Sequence, residues 1–108
     1  MHSNSVGGDI IEARLTALDD AVDGLLADNL TGLTDDDIVE VLQRMETSLR
    51  KASAVGHRLI VETTERLIPG HLGCRSITDF LVGTLRISGA DAARRVKGAK
   101  KAGVWHGA

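Results

Sequence analysis

The stretch that decides the fold is residues 34–67, which read TDDDIVEVLQRMETSLRKASAVGHRLIVETTERL. Apolar or small residues recur along it in alternating steps of four and three, at Ile38, Leu42, Met45, Leu49, Ala52, Gly56 and Leu59. This spacing is typical of a helix with one apolar stripe, as in a coiled coil. Thr34 and Asp37 have the spacing of a capping box, and an acidic first turn suits the positive end of the helix dipole. We therefore predict one long central helix over about residues 35–67.

A helix of that length does not fit inside a compact chain of 108 residues. It would extend roughly 50 Å at 1.5 Å per residue, whereas a compact chain of this size has a radius of gyration of about 13 Å. Either the helix bends near Gly56 and folds into a compact monomer, or its stripe pairs with a second copy. The heptad spacing favours a homodimeric coiled coil. The predicted dimerisation residues are Leu42, Met45, Leu49, Ala52 and Leu59.

A first helix is predicted upstream of the central one. The same steps of four and three link Ile11, Leu15, Leu18, Val22 and Leu25. We expect this helix to fade near residues 28–29. The preceding residues 1–8 are polar and glycine-rich, which is typical of a flexible tail.

Two short helices are predicted downstream, beyond the break expected at Pro69. Ser76 with Asp79, and Ser88 with Asp91, have the spacing of capping boxes. They predict a helix-turn-helix-like pair over about residues 76–102. The fold class is therefore all-α, a four-helix arrangement in a single domain over residues 9–103, followed by a frayed tail over 104–108 in which Trp105 could fold back.

Composition supports a helical domain. The chain has one Phe, one Trp, no Tyr and one proline, so aliphatic residues supply its apolar content. The single cysteine, Cys74, excludes an internal disulfide and fits a reducing compartment. The sequence shows neither a secretory signal nor an apolar run of the ~20 residues that span a bilayer. We expect a cytoplasmic protein with no membrane partner.

Charge is distributed unevenly along the chain. Residues 1–68 hold 13 acidic and 6 basic residues, a net charge of −7, and residues 69–108 hold 2 acidic and 7 basic residues, a net charge of +5. Five of the 13 basic residues lie within residues 94–101. Such a split indicates that the halves face different surroundings, or that one half meets the other in an assembly.

The basic cluster has two interpretations. On a helix, Ala92, Val96 and Ala99 share one face, and the cations lie opposite or on its flanks, as the solvated face of any amphipathic helix would. The cations are also suited to contact phosphates, which gives salt-dependent affinity for nucleic acid. The candidate nucleic-acid-binding residues are Arg86, Arg94, Arg95, Lys97, Lys100 and Lys101. We expect no base-specific readout, because the helix carries no Asn or Gln to contact adenine.

Catalysis and metal binding are not indicated. His71 and Cys74 have the spacing of half a zinc site, yet a structural zinc needs four ligands and no matching pair is present. The same two residues could imitate a Cys–His catalytic pair, but no orienting group accompanies them. We therefore expect no metal, no cofactor, no small-molecule substrate and no enzymatic activity.

The order of these features resembles a known family. The segments LTDDDIVEVLQRMETSLRKASAVGHRLIVE and RSITDFLVGTLRISGADAARRVKGAKKAG carry the resemblance, which covers about residues 9–103. Its most telling part is the pattern of Arg86, Ile87, Ser88, Ala92, Arg94 and Arg95. The chain resembles the mycobacterial 13E12 repeat proteins, whose amino-terminal region belongs to domain-of-unknown-function family 222.

The resemblance implies a helical domain that usually precedes an HNH nuclease domain in longer, mobile-element-associated proteins. These 108 residues contain no His-Asn-His constellation, so no nuclease residue is carried over. The resemblance therefore implies an accessory role in assembly and in holding DNA. The alternative is a purely structural dimerisation module that does not bind DNA.

Overall fold

The computed structural model describes residues 6–102. The α-helices are α1 (Val6–Ala27), α2 (Asp35–Glu65), α3 (Ile68–His71), α4 (Ile77–Leu85) and α5 (Gly89–Lys101), with a 3-10 turn at Leu30–Gly32. No strand occurs over the described residues, and the all-α fold class is confirmed. No helix in this part of the chain combines the length and the apolar content needed to cross a membrane. The predictions for residues 1–5 and 103–108, including Trp105, lie outside the described residues.

The described residues divide into two compact units, with the division between Glu40 and Val41. In the first unit, α1 begins at Val6, so Gly7 and Gly8 are helical, although we predicted them to be part of a tail. Asp9 in the first turn suits the positive end of the helix dipole and offsets part of the cost of two glycines. The helix ends at Ala27, next to the predicted end at 28–29.

The start of α2 has the predicted capping box. The Asp37 N–H donates to Thr34 Oγ1 at 3.1 Å, and the Thr34 N–H donates to Asp37 Oδ2 at 3.2 Å. Both partners therefore satisfy a backbone donor that the first helical turn would leave unpaired. From there α2 continues for 31 residues and passes through Gly56 without interruption. The long central helix is confirmed.

The end of α2 differs in detail from the prediction. The helix stops at Glu65, and Leu67 takes the left-handed conformation with φ of 57°. The chain then enters the short helix α3, in which Pro69 lies at the start and is buried. Proline is tolerated there because the first helical N–H groups have no partner within the helix. The break was predicted at Pro69 and Gly70, but the change of direction lies just before them.

The core of the second unit lies where the end of α2 meets α4 and α5. Its buried residues are Ile60, Val61, Leu81, Ala92, Val96 and Ala99. Ile77, Phe80, Val82 and Ile87 pack against this cluster and remain partly exposed. The small side chains of α5 bring its backbone close to its neighbours, because a face of Ala and Val leaves little bulk between helices. The predicted helix-turn-helix-like pair over 76–102 is confirmed as α4 and α5.

Both helices of the pair begin at a predicted cap. The Ser76 Oγ accepts a hydrogen bond from the Asp79 N–H, and the Ser88 Oγ accepts one from the Asp91 N–H, each at 3.0 Å. Both serines have extended backbone conformations, as N-cap residues do. Each cap contributes about 1 kcal/mol to the free energy of unfolding. That is a substantial fraction of the total for a unit with so small a core.

Candidate functional site

The basic helix α5 has one buried face and one exposed face. Ala92 and Ala99 are fully buried and Val96 is 8% exposed, so this side of α5 is taken up by the core. At 100° per residue the three cations opposite this face are Arg94, Lys97 and Lys101, and all three are exposed. The packing of α5 therefore directs the middle of its basic surface to solvent.

Two of the six candidate cations are held by one carboxylate. Arg94 Nη2 lies 3.1 Å from Asp91 Oδ1, and Arg95 Nε lies 3.0 Å from the same oxygen. Arg95 Nη2 also donates to Asp91 Oδ2 at 3.3 Å. The hydrogen bond from Arg95 is the largest influence, and with both guanidinium groups nearby it lowers the pKa of Asp91 from its ordinary value of 3.8, against a smaller opposing effect of desolvation. Asp91 thus offsets part of the positive charge at the start of α5.

Arg86 occupies the turn before α5 in an unusual backbone conformation. Its φ and ψ are 56° and 47°, in the left-handed region, and its N–H donates to Val82 O at 3.0 Å to close α4. Glycine is the residue most often found at such a helix end, because it has no Cβ to clash. Ile87 packs on the core directly after it and Ser88 caps α5, so the turn is fixed from both sides. The Arg86 side chain is exposed.

The structure thus places five candidate cations on one helix and the sixth in its preceding turn. Lys97, Lys100 and Lys101 are exposed along the second half of α5. Arg95 differs from the others because its side chain turns toward α2 and α4, where it lines a groove. The exposed side away from the core is therefore formed by Arg94 and the lysines.

The predicted dimerisation residues form an exposed apolar stripe on α2. Leu42 is 66% exposed, Leu49 is 59% exposed and Leu59 is 62% exposed, while Met45 is exposed to a smaller extent. Ala52 is also exposed. Val41 and Val55, on one edge of the stripe, are exposed as well. Large exposed apolar surface of this kind marks an interaction site in soluble proteins.

The carboxyl-terminal half of this stripe is one wall of a groove of about 540 Å³. Leu49, Ala52, Gly56 and Leu59 line it from α2. The opposite wall consists of Phe80, Leu81, Thr84 and Leu85 from α4 and of Arg95 from α5. The lining is mostly apolar, and among its residues Arg95 is the one Asp, Glu, Lys or Arg.

A close contact between α2 and α5 was not predicted from the sequence. His57 lies against Gly98, so that a Cβ added to Gly98 would stand 2.8 Å from His57 Nε2 and 3.1 Å from its Cε1. An isolated glycine inside an otherwise alanine-rich and basic helix is the signal that would have indicated this contact. His57 and Gly98 are both half-buried.

A family model described as "Domain of unknown function (DUF222)" matches residues 39–104, more than half of the chain. The chain belongs to the DUF222 family. No curated protein and no solved structure matches it.

The DUF222 match takes in every candidate residue described above. It includes the stripe from Val41 onward, the groove, Arg86 and all of α5. It begins at Val39, so that α1 lies outside the matched region. DUF222 membership confirms the family part of the resemblance and assigns no activity.

The loop that contains Cys74 and His71 also lies within the DUF222 region. Cys74 is half-buried and its N–H donates to Pro69 O at 2.8 Å, while His71 is exposed at the end of α3. Over residues 6–102, no group of three His, Cys, Asp or Glu side chains is arranged to hold a metal ion. The expectation of no metal and no catalysis stays a prediction.

Proposed function

We propose that this DUF222 chain is a non-enzymatic, cytoplasmic helical module that self-associates through the stripe of α2 and presents α5 to nucleic acid. The observation that carries the DNA-binding part is the orientation of α5, whose alanine and valine face is buried while Arg94, Lys97 and Lys101 face solvent. Cations on one exposed arc are suited to contact successive phosphates.

The short turn before α5 supports the same proposal. A helix that follows a tight, capped turn is held rigidly against its partner helix, as DNA-contacting helices of helix-turn-helix proteins are. Here the turn is fixed by the packing of Ile87 and by the Ser88 cap. The contacts we propose are to the phosphate backbone, so affinity would depend on salt and little on sequence.

Self-association is supported by the exposure of the α2 stripe. The five residues Leu42, Met45, Leu49, Ala52 and Leu59 keep heptad spacing along one helix, and all are exposed in the single chain. Pairing of such a stripe with another helix removes apolar area from water, at about 25 cal/mol per Å². A dimer would also place two copies of α5 in one particle, and two linked contacts raise the effective affinity for a long polymer such as DNA.

The likeness to the 13E12 repeat proteins adds a biological role to this proposal. If the chain acts as the 13E12 repeat proteins are expected to, it is an accessory module of a mobile-element-associated protein, and it assembles the protein and holds DNA. DUF222 membership supports the family on which this proposal draws, and the accessory role itself stays a proposal.

The proposed DNA contact is tested by neutralising the exposed arc. Arg94→Gln, Lys97→Gln and Lys101→Gln together should weaken binding to duplex DNA, and each phosphate that is no longer neutralised should reduce the slope of log K against log salt by about 0.9. A matched control replaces Arg44, Lys51 and Arg58 by Gln, which removes the same charge from exposed positions spaced seven apart on α2. Equal weakening in the two variants would show that only net charge matters and would refute the assigned role of α5.

The alternative function is a purely structural dimerisation module, and the exposed stripe of α2 favours it equally. The two candidates differ in their response to DNA. A dimer in sedimentation with no retardation of duplex DNA at low salt would favour the structural module and end the DNA-binding proposal.

A further inference from the structure

The groove beside α2 has the shape of a site for one more helix. Its α2 wall is the second half of the exposed stripe, and its other wall is formed by Phe80, Thr84 and Leu85 of α4. An apolar helix lying on Leu49, Ala52 and Leu59 would therefore contact two helices of the second unit at once. Packing of an amphipathic helix into a groove between two others is a common mode of helix recognition.

Helix α1 has the properties that this groove requires. Its stripe of Ile11, Leu15, Leu18, Val22 and Leu25 keeps the same heptad spacing as α2, and every one of these residues is 43–58% exposed. The edge next to this stripe is acidic. Glu12 directly follows Ile11 and Asp19 directly follows Leu18, so both acids lie along the same side of the stripe. The apolar stripe of an amphipathic helix normally packs against another apolar surface.

Charge favours this match. Helix α1 carries five acidic residues and one Arg, a net charge of −4, whereas α5 carries five basic residues and one Asp, a net charge of +4. Arg95 places part of the positive charge of α5 on the groove wall itself. An acidic amphipathic helix is therefore attracted to this groove, and a basic one is repelled.

We infer that α1 of a second copy of the chain occupies the groove between α2 and α4, and that the two copies exchange their α1 helices reciprocally. Reciprocal exchange is an isologous arrangement, which closes as a two-fold dimer and leaves no repeating open surface. The inference rests on the proposed self-association and names the element that meets the α2 stripe. In this arrangement each copy supplies one helix and one groove.

A pairing of α2 with α2 is the main rival arrangement. It would cover the α2 stripe but leave Ile11, Leu15 and the rest of the α1 stripe exposed, together with the α4 wall of the groove. Exchange of α1 covers the α1 stripe, the half of the α2 stripe that lines the groove and the α4 wall in one step.

Site-directed disulfide formation tests the exchange in the full chain. All variants carry Cys74→Ser so that the introduced cysteines are the only thiols. One variant carries Leu18→Cys in the α1 stripe, and the other, labelled with ¹⁵N, carries Thr84→Cys on the groove wall. Both positions are exposed, so neither change removes core packing. The two variants are mixed in a glutathione redox buffer, and the products are separated by intact mass.

The expected product is a mixed disulfide between residues 18 and 84 of different copies, in severalfold excess over a control pair that has Asp20→Cys in place of Leu18→Cys. Asp20 lies on the other side of α1, and a disulfide forms only where Cα atoms approach within about 7 Å. Sedimentation of the Cys74→Ser parent is measured in parallel to establish whether it is a dimer.

The outcomes separate this inference from the proposed function. A dimeric parent with no excess of the 18–84 product, or with efficient disulfide formation between two copies of Leu49→Cys, overturns the exchange and leaves self-association standing. A disulfide that forms only within one chain carrying both Leu18→Cys and Thr84→Cys also overturns it. A parent that stays monomeric at all concentrations and salt levels overturns the exchange and the proposed self-association together.

Discussion

His57 of α2 lies directly over Gly98 of α5, with Nε2 2.8 Å from the position that a Cβ on residue 98 would occupy. The absence of a side chain at residue 98 is what allows the imidazole to lie between the two helices. The contact belongs to the same packing that buries Val96 and Ala99 and directs the cations of α5 to solvent. The contact between Gly98 and His57 therefore contributes, together with the buried core, to the position of the basic helix.

Gly98→Ala tests this contribution. A Gly to Ala change inside a helix normally stabilises it by about 1 kcal/mol, but here the new methyl group would force the ring of His57 to move. We expect the gain to be cancelled or reversed in the wild-type background and to return in a His57→Ala background. Urea unfolding of the four proteins gives the coupling free energy. Gly83→Ala in α4 is the control, because a Cβ there meets nothing within 4 Å; an equal gain from both glycines would contradict the contact.

Arg86→Gly is expected to stabilise the second unit. Arg86 has φ of 56°, and a non-glycine residue in the left-handed region costs about 1 kcal/mol. Glycine removes that cost, whereas Arg86→Ala keeps it. Thermal or urea unfolding should therefore rank Gly above Arg, and Ala no higher than Arg. A less stable Arg86→Gly protein would show that the side chain of Arg86 makes a stabilising contact that outweighs the strain.

The same two substitutions separate stability from DNA binding. Both remove one cation from the turn before α5, but only glycine relieves the backbone. If Arg86 contacts a phosphate, both variants should show the same decrease in affinity for duplex DNA and a decrease of about 0.9 in the slope against log salt. If affinity instead follows the order of stabilities, Arg86 contributes through the conformation of the turn alone.

Much of this fold is predictable from local sequence signals. The N-caps at Thr34, Ser76 and Ser88 depend on hydrogen bonds within one helical turn, and all three were predicted and are present. The reciprocal bond of a capping box is formed at Thr34. The length of α2 follows from its uninterrupted heptad pattern. The end of α2 lies before the break that was predicted at Pro69, because Pro69 is compatible with the start of the next helix. A proline thus predicts a break without determining whether the preceding helix ends there or a new one begins.

The candidate site was predictable only in part. Helical periodicity placed Arg94, Lys97 and Lys101 opposite the buried face of α5, as observed. Periodicity says nothing about which neighbour a flanking residue faces, so the pairing of Arg95 with Asp91 and its place on the groove wall required the packed structure. The close approach at Gly98 is a tertiary contact with a residue 41 positions earlier in the sequence, and local rules do not determine it.

The pKa of Asp91 predicts how stability changes in acid. A carboxyl whose pKa is lower in the folded state than in the unfolded state stabilises the fold above its unfolded pKa, and this contribution is lost as the pH falls through the folded pKa. Hydrogen bonds from Arg95 and the charge of Arg94 lower the pKa of Asp91 below 3.8. We expect Asp91→Asn to destabilise the unit at neutral pH and to have progressively less effect as the pH falls below 3.8. Because Asp91 is only partly buried, the effect should be small and should diminish in high salt.

Removal of the arginines checks the cause of that effect. Arg95→Gln should remove most of the change in unfolding free energy with pH that Asp91→Asn removes, since the hydrogen bond from Arg95 is the largest influence on the pKa of Asp91. Arg94→Gln should remove less of it. Unfolding free energies measured across the acid range for the three variants give this comparison. An acid dependence that Asp91→Asn leaves unchanged would place its origin in other carboxyl groups.

The exposed stripe and the buried core should respond differently to protein concentration. Leu81 is 5% exposed, so Leu81→Ala is expected to cost about 2–5 kcal/mol at every concentration. Leu49 is 59% exposed in the single chain, so Leu49→Glu should leave an isolated copy almost unaffected. In a dimer the same change buries a carboxylate, and it should abolish the rise in melting temperature with concentration that accompanies self-association.

Ala54→Glu, on the opposite side of α2, is the control that should keep this rise. A melting temperature that is independent of concentration in the unchanged chain, with no difference between Leu49→Glu and Ala54→Glu, would mean that the stripe does not mediate self-association.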